Sequence, residues 1–456
     1  MNLVKNHIPI LLVLLGIALV WVCRFSSLQD PYFWDEMGVY GNGVQYLLTH
    51  GISILPNAMP PEISRGHPLL FYAIHALVLK FFGNSFLISH AFALVISAAC
   101  LWSTYLLAKE FGSKLMAAMA VLLLASLNIF LAQSTLVLPE MMVALLSTLA
   151  LLCYFRKKYI CVVITLSVGV MVKESMIISA GFLGLVYLFE LIKAKTLKEN
   201  IARLFLFMLP LFVLLFFLLI QKIQNGWYFF PYHTDILKEG ALAGFFEKLE
   251  LHYNFIFFEQ GRNQWLPMVF LALVSLFFTA TKRKTLIIGT YFLYSLLLFS
   301  FAFFMDRYLL FLYPILVILV IQGVSFIAHQ YKYLPVGFIS IFMVLSLLQH
   351  KNPSFRYDAS LAYEAVISVH KDAVSSLCGL QETGLTCWTN FPINMSLRNS
   401  RLGYLNAPCQ NKIRLVNNPN EANYVILYSQ DFNDENFTLL QGFTKNEARV
   451  NLYKRQ

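Results

Sequence analysis

Two adjacent carboxylates, Asp35 and Glu36, stand in the segment DPYFWDEMG, about ten residues beyond the first hydrophobic stretch. They are conspicuous because only 13% of the residues in this chain are charged. A carboxylate at the edge of an apolar protein can act as a general base that accepts the proton of an attacking hydroxyl. The competing interpretation is that both are ordinary loop acids in water. A carboxylate at position 36 would also be favourable simply because a helix N-terminus attracts negative charge.

Five further ionisable residues could share a site with this pair. They are Glu140, Arg65, His67, Lys173 and Arg307. Moving a sugar from a phosphate carrier to a hydroxyl requires a carboxylate base and cations that stabilise the departing phosphate. Asp35 or Glu36 would be the base, and the two arginines, His67 and Lys173 would contact the phosphate. The patterns G-x-S-x-G, H-E-x-x-H and Walker A are absent from the sequence, so no hydrolytic motif competes.

The composition indicates an integral membrane protein with many spans. Hydrophobic residues make up 58% of the 456 residues, and the mean hydropathy is +0.65, whereas soluble domains are typically about 25% charged. The net charge of +10 is typical of cytoplasmic loops and lipid contacts in such proteins. No basic-aromatic motif for binding nucleic acid is present, so we expect no nucleic-acid partner. The first 22 residues lack a small-residue cleavage site and predict a retained first helix.

Hydrophobic stretches long enough for a helical span of roughly 20 residues recur along the chain. The predicted spans, about eleven in all, are 8–26, 86–108, 114–132, 138–155, 159–173, 175–192, 204–221, 265–281, 285–304, 308–328 and 333–350. One more apolar stretch, 67–83, is short and carries His67, His75 and Lys80.

Basic residues decide whether 67–83 spans, because cytoplasmic loops carry an excess of lysine and arginine. If 67–83 crosses the membrane, the cluster Arg156-Lys157-Lys158 falls outside. If it lies at the outer interface instead, every basic cluster falls inside: Lys5, Lys109, Lys114, Arg156-Lys157-Lys158, Lys193, Lys195, Lys198, Arg203, Lys282-Arg283-Lys284 and Lys332. We therefore predict an inside N-terminus, an outside C-terminus and an interfacial helix at 67–83.

This topology places all seven candidate site residues on the outer side, several at helix ends. Ionisable residues at membrane depth are costly and usually face a cavity or a polar path, which favours one shared site. Charged residues are also common at the loop ends of any membrane protein. The alternative that these residues share no site therefore stays open.

The chain divides into a transmembrane domain, 1–350, and an extracytoplasmic C-terminal domain, 351–456. The first outer loop, 27–84, should contain a short amphipathic helix that ends at Gly51. The second, 222–264, is rich in aromatic residues that suit either the membrane interface or sugar stacking. Short alternating apolar runs in 351–456 predict a small α/β domain.

The C-terminal domain contains Cys378, Cys387 and Cys409. Their spacing fits no metal site. One disulfide is expected if this part faces an oxidising compartment, and the local pair is Cys378–Cys387.

Several motifs together resemble the GT-C glycosyltransferases, and most closely the branch of the protein O-mannosyltransferases and the bacterial lipid A aminoarabinose transferase. They are WDE in the first outer loop, RGHPLLFY, LVLPEMMVALLSTLALL, MVKES and DRYLLFLYP, in this order over roughly residues 8–330. The resemblance implies that Asp35 matches the acidic base, with Glu36 its neighbour and Glu140 at the acidic position that opens the fourth span. His67 matches a position that is often lysine near the donor phosphate, and Arg307 matches a cation near the same phosphate.

The resemblance implies an inverting displacement in which an acceptor hydroxyl attacks a polyprenyl-phosphate sugar on the outer, periplasmic face of a bacterial inner membrane. The acceptor would be a lipid, a glycan or a protein. No metal site is certain, although Asp35, Glu140 and His67 could ligate a divalent ion. Two alternatives remain open: a transporter or flippase of a lipid-linked glycan, and an oligosaccharide ligase or polymerase. A transporter should show repeated halves or charges at mid-membrane, and the sequence shows neither.

Overall fold

Most of the chain up to residue 348 is helical, followed by a small domain that contains a β-sheet. The computed structural model describes all residues except 1, 241–243, 261, 279–280, 302–304, 328–330, 332, 351–355, 383 and 406, and it does not describe the side chains of 2–6, 236–240 and 407–408. Lys332, one of the predicted inside residues, lies outside the described residues.

The α-helices of the described residues are Asn2–Arg24, Gly41–His50, Pro61–Ser64, Leu70–Phe82, Phe86–Ala108, Lys114–Ala125, Asn128–Thr135, Pro139–Phe155, Tyr159–Val172, Ile177–Lys193, Ile201–Phe207, Leu209–Asn225, Pro231–Gly240, Phe245–Phe257, Trp265–Val274, Lys282–Ser300, Tyr313–Ile327, Leu334–Leu348, Tyr363–Gly379, Ile393–Ser396 and Ala407–Gln410. A π-helical turn, Glu36–Tyr40, leads into the second helix, and a 3-10 segment, Asp306–Leu312, precedes Tyr313–Ile327.

Four helical segments are long and apolar enough to cross a membrane, by length and composition. They are His7–Gln29, Phe86–Ala108, Glu174–Lys193 and Asp306–Ile327. Two bent pairs raise the number to six if each pair is one span, with bends of 71° after Ala125 and 42° after Phe207. Pro210 lies in the first turn of the second helix of the latter pair, where its missing N–H is tolerated. The chain is thus an integral membrane protein with several apolar helices, and the number of eleven spans stays a prediction.

The segment 27–84, predicted to be the first outer loop, contains the two short helices expected from the sequence. The helical stretch that starts at Glu36 ends at His50, where Gly51 adopts a φ of 114° that only glycine tolerates well. The helix Leu70–Phe82 has 13 residues and is therefore only about 20 Å long. That length is too short for the roughly 30 Å of hydrocarbon in a bilayer, in agreement with an interfacial helix.

Several basic loops meet at one end of the helical bundle. Glu110 binds both Arg156, at 3.0 Å, and Lys284, at 2.8 Å, and Glu190 pairs with Arg283. Arg156 caps the helix that Glu140 opens, and this helix of 17 residues is about 25 Å long. The basic end and the Glu140 end are therefore opposite ends of the bundle, as the charge distribution predicts.

The C-terminal domain is the small α/β unit expected from its alternating pattern. Its five strands are β1 (Leu385–Thr389), β2 (Ile413–Leu415), β3 (Tyr424–Tyr428), β4 (Phe437–Lys445) and β5 (Ala448–Arg455), in the order β2-β1-β3-β5-β4. β1 pairs in parallel with β2 and β3, and β5 pairs antiparallel with β3 and β4. The helix Tyr363–Gly379 packs on β4 and β5, so its apolar face covers the sheet.

The disulfide of this domain joins Cys378 to Cys409, and the predicted pair Cys378–Cys387 is wrong. The Cα atoms of the bonded residues are 5.4 Å apart. Cys387 lies on β1 with its side chain fully buried in the core, whereas Cys378 lies near the end of the helix Tyr363–Gly379 and meets Cys409 of the short helix Ala407–Gln410. Tertiary packing, not sequence proximity, selects the partner.

Peptide mapping without reduction should recover one linked pair, Cys378 with Cys409. Cys387 should react with an alkylating reagent only after unfolding, because its thiol is buried. The variant Cys387→Ser should keep the bridge, whereas Cys409→Ser should release a free thiol at Cys378. A recovered peptide that links Cys378 to Cys387 would contradict this pairing.

Candidate active site

Arg307 is the centre of a buried charge cluster at the Glu140 end of the bundle. Its side chain is 1% exposed, and its guanidinium donates hydrogen bonds to Asp35, Asp358 and Glu140, the last at 3.1 Å from Nε to Oε1. A buried arginine needs such partners, since an uncompensated charge in the interior costs several kcal/mol. Four distant parts of the chain thus meet at one side chain.

Lys173 completes this cluster from the end of the helix Tyr159–Val172. Its Nζ lies 2.6 Å from Glu140 Oε1 and 3.8 Å from the centre of the Tyr308 ring. Glu140 therefore accepts from two cations through a single oxygen. Its Oε2 has no hydrogen-bond partner among the described residues. A small cavity of about 10 Å³, about the size of one water molecule, is lined by Glu140, Lys173 and Tyr308.

Asp35 is the carboxylate of this cluster that solvent can reach. Its side chain is 29% exposed, against 3% for Glu140 and 2% for Asp358. The residue before it, Trp34, has a φ of 51°, a costly conformation for a bulky residue, and its ring packs on Tyr357 and Phe391 of the C-terminal domain. The C-terminal domain thus contacts the loop that presents Asp35.

Glu36 is buried in the protein interior and is not among the carboxylates that bind Arg307. Its side chain is completely buried, and its two oxygens accept hydrogen bonds from the backbone N–H groups of Phe33 at 2.8 Å and Val137 at 2.5 Å. Burial raises the pKa of Glu36 to about 8, although both backbone hydrogen bonds oppose the shift. The side chain ties the Asp35 loop to the segment before Pro139, so its geometry suits holding the loop rather than contacting a substrate.

The other predicted cations, Arg65 and His67, lie on the loop between the two short helices. Nδ1 of His67 is 3.0 Å from Glu174 Oε1, so Glu174 pairs with His67 and leaves Lys173 to Glu140. The Arg65 guanidinium lies over the rings of Phe230 and Tyr232, at 5.7 and 5.8 Å. Within the described parts of the chain it has no carboxylate partner. The segment 222–264, predicted to be the second outer loop, therefore places aromatic side chains beside this cation.

The rings of Tyr40 and Tyr72 pack against each other beside His67. They stack at 5.2 Å, and the ring of Tyr40 also stacks on His67 at 6.4 Å. The Tyr72 hydroxyl is buried without a hydrogen-bond partner among the described residues. Close packing here requires Gly43, because a Cβ at that position would meet the Tyr72 ring at 2.7 Å.

Asp358 is the member of the cluster that the sequence did not reveal. It follows the last apolar stretch, in a segment assigned to the polar C-terminal domain, and its backbone oxygen accepts from Gln133 Nε2 at 2.7 Å. Burial raises its pKa to about 6, against the opposing effect of Arg307. An acid a few residues beyond a predicted span is a weak signal of a site residue. Its partner, Arg307, is 51 residues away in the sequence, so no local pattern links the two.

The possible metal set Asp35, Glu140 and His67 does not form a cluster. Among the described residues, no group of three or more histidine, cysteine, aspartate or glutamate side chains is placed to hold a metal ion. His67 faces Glu174, and the two acids face Arg307.

Comparisons with known proteins identify the fold through structure alone. No protein-family model matches the chain, and no curated protein matches it in sequence. The structure of ArnT from Cupriavidus metallidurans bound to undecaprenyl phosphate is similar, with a TM-score of 0.54, 13% identity and 97% of each chain covered. The apo state of the same protein gives a TM-score of 0.57 at 12% identity, again with 97% of each chain covered.

An archaeal structure is similar over most of this chain as well. It is the Archaeoglobus fulgidus oligosaccharyltransferase in complex with zinc and sulfate, with a TM-score of 0.55, 11% identity and 91% of this chain covered, against 67% of the archaeal chain. Both neighbours belong to the GT-C superfamily. The resemblance seen in the motifs is thereby confirmed at the level of the fold.

The burial of Glu36 generates a prediction about pH and stability. Its pKa is raised from 4.5 to about 8, so the folded state binds the proton more tightly than the unfolded state. The stabilisation from this proton is complete below pH 4.5 and disappears as the pH rises through 8. Within this window, the free energy of unfolding of the wild type should fall, relative to that of Glu36→Gln, by up to about 1.4 kcal/mol per pH unit.

Thermal melts of both proteins in detergent, from pH 5 to 9, measure this difference. A difference in melting temperature that is the same at every pH would reflect the altered hydrogen bonds to Phe33 and Val137. Only a difference that changes with pH tests the raised pKa of Glu36. Parallel curves for the wild type and the variant would contradict a buried carboxyl with a raised pKa.

Proposed function

We propose that this protein is a membrane glycosyltransferase that moves a sugar from a polyprenyl-phosphate donor to an acceptor hydroxyl. The observation that carries the proposal is the partly exposed carboxylate of Asp35 in one cluster with two buried cations, Lys173 and Arg307, at one end of a GT-C fold. A similar fold in ArnT binds undecaprenyl phosphate. A base and phosphate-stabilising cations are the groups that this transfer requires.

The proposed reaction is a single displacement at the anomeric carbon. The acceptor oxygen forms a bond to this carbon while the bond between the carbon and the phosphate oxygen breaks, which inverts the configuration. Asp35 takes the proton of the acceptor hydroxyl, and polyprenyl phosphate leaves with the bonding electrons. Asp35 is the base in this scheme because the other carboxylates of the cluster are at least 97% buried.

Arg65 is the best candidate for the cation that meets the incoming phosphate. Lys173 and Arg307 already hold carboxylates, and His67 pairs with Glu174. Arg65 has aromatic neighbours and no carboxylate partner in the described residues. Arginine also matches phosphate geometry better than a neutral imidazole does. Lys173, which lines the small cavity together with Glu140, would then add to the positive potential at the phosphate.

The site lies at the end of the bundle opposite the basic loops. Under the positive-inside rule the reaction would take place on the extracytoplasmic face, which is the periplasmic face if the membrane is a bacterial inner membrane. A transporter would require charges near mid-membrane, whereas this cluster sits where helices begin and end. Transfer of a whole oligosaccharide remains the second candidate, since the archaeal oligosaccharyltransferase has a similar fold.

Asp35→Asn should reduce sugar transfer about a hundredfold or more, the usual contribution of a general base. The assay uses membranes that contain the variant, an acceptor extract and a panel of radiolabelled polyprenyl-phosphate sugars. Asp30→Asn is the matched control: Asp30 is an acid of the same loop that pairs with Lys371 at the surface, at 3.1 Å. Transfer by Asp35→Asn at the wild-type rate would exclude Asp35 as the base.

Arg65→Gln should raise the KM for the lipid-linked donor about tenfold, because a charge-assisted hydrogen bond to phosphate is lost. Arg65→Lys should restore part of this affinity. His67→Gln should have a smaller effect, since His67 is already engaged with Glu174. Donor titrations of the three variants measure the effect, and an unchanged KM in Arg65→Gln would remove Arg65 from the donor site.

A further inference from the structure

A second cavity lies between the first outer loop and the C-terminal domain. Its volume is about 620 Å³, within the range of small-molecule sites. Tyr32 forms part of its wall, and none of the residues of the Arg307 cluster lines it. The Tyr32 hydroxyl is fixed by Ser89 at 2.6 Å, and the completely buried Glu36 is only four residues further along the chain. The cavity is thus separate from the candidate active site.

Two unpaired cations face this cavity from different elements. Lys80 comes from the end of the helix Leu70–Phe82, and Arg401 comes from the C-terminal domain. In the described residues neither has a carboxylate partner, and no acidic residue lines the cavity. The charge here is therefore positive and uncompensated, which favours an anionic ligand.

Neutral polar residues also line this cavity. The side-chain amides of Gln45 and Asn84 bond each other twice, at 2.8 Å each, which fixes the wall between the two short helices. Hydroxyl groups of Thr49, Ser85 and Ser400 line the rest of the polar side. Ser85 also caps the helix Phe86–Ala108, whose N-terminal dipole adds to the positive potential.

The lining of the cavity also has an apolar side. It consists of Leu48, Leu79 and Phe86, and Phe86 opens a 23-residue candidate membrane span. The cavity therefore sits where an interfacial helix passes into a spanning helix. A ligand that fits both sides has an anionic head and an adjoining hydrocarbon part.

We infer that this cavity binds a phosphate ester, and that the headgroup of an anionic membrane lipid is its natural source. The role goes beyond the proposed sugar transfer and does not depend on it. A soluble phosphate ester shares the headgroup chemistry, but it would leave the apolar side uncovered.

Isothermal titration of the purified full-length protein in detergent tests this inference. The probes are dihexanoyl phosphatidic acid, dihexanoyl phosphatidylcholine and glycerol 3-phosphate. Phosphatidic acid should bind, and the double variant Lys80→Gln/Arg401→Gln should weaken its binding at least about tenfold, because two charge-assisted contacts are lost. Lys80→Arg/Arg401→Lys, which keeps both charges, should retain binding.

The matched control is Arg398→Gln/Lys412→Gln, which also removes two positive charges. Both residues are exposed, belong to the C-terminal domain as Arg401 does, and do not line the cavity. It should bind phosphatidic acid like the wild type. Weaker binding of glycerol 3-phosphate than of phosphatidic acid supports the lipid source, and equal binding supports the soluble ester instead. The inference is overturned if the Lys80/Arg401 double variant binds normally, if the control loses as much affinity, or if phosphatidylcholine binds as tightly as phosphatidic acid.

Discussion

The buried guanidinium of Arg307 is the constraint on which the rest of this site depends. An arginine that is 1% exposed requires neighbouring negative charge, and three carboxylates provide it from positions 35, 140 and 358. Removal of one partner of a buried pair typically costs about 3–5 kcal/mol. The first outer loop, the helix that begins at Pro139, the last long apolar helix and the C-terminal segment must therefore be placed together.

This constraint gives the two adjacent acids at the start of the chain different tasks. Glu36 is buried and accepts hydrogen bonds from one backbone N–H group of its own loop and one of the segment before Pro139. Asp35 is consequently held at the surface of the cluster, in contact with Arg307 and with solvent. A proposed base must be both positioned and accessible, and the pair achieves this because one member anchors the other. The cost of a left-handed Trp34 is offset by its packing on the C-terminal domain.

Much of this arrangement could be predicted from the sequence, because hydrophobic length and loop charge are local signals. They placed Asp35, Glu140, Lys173 and Arg307 on one side of the membrane, and the structure brings these four together. Pairings were not predictable: adjacent Lys173 and Glu174 bind different partners, and Asp358 reaches Arg307 from a segment that looked separate. The disulfide partner of Cys378 was missed for the same reason, since long-range contacts depend on packing that spacing does not encode.

The most direct measurement is a cryo-electron microscopy structure of the full-length protein with an added polyprenyl phosphate. Our account predicts phosphate density within hydrogen-bond distance of Arg65 or Lys173, with Asp35 still bonded to Arg307 and facing the open side of the site. Phosphate bound away from both cations, or an Arg307 without its three carboxylates, would contradict it.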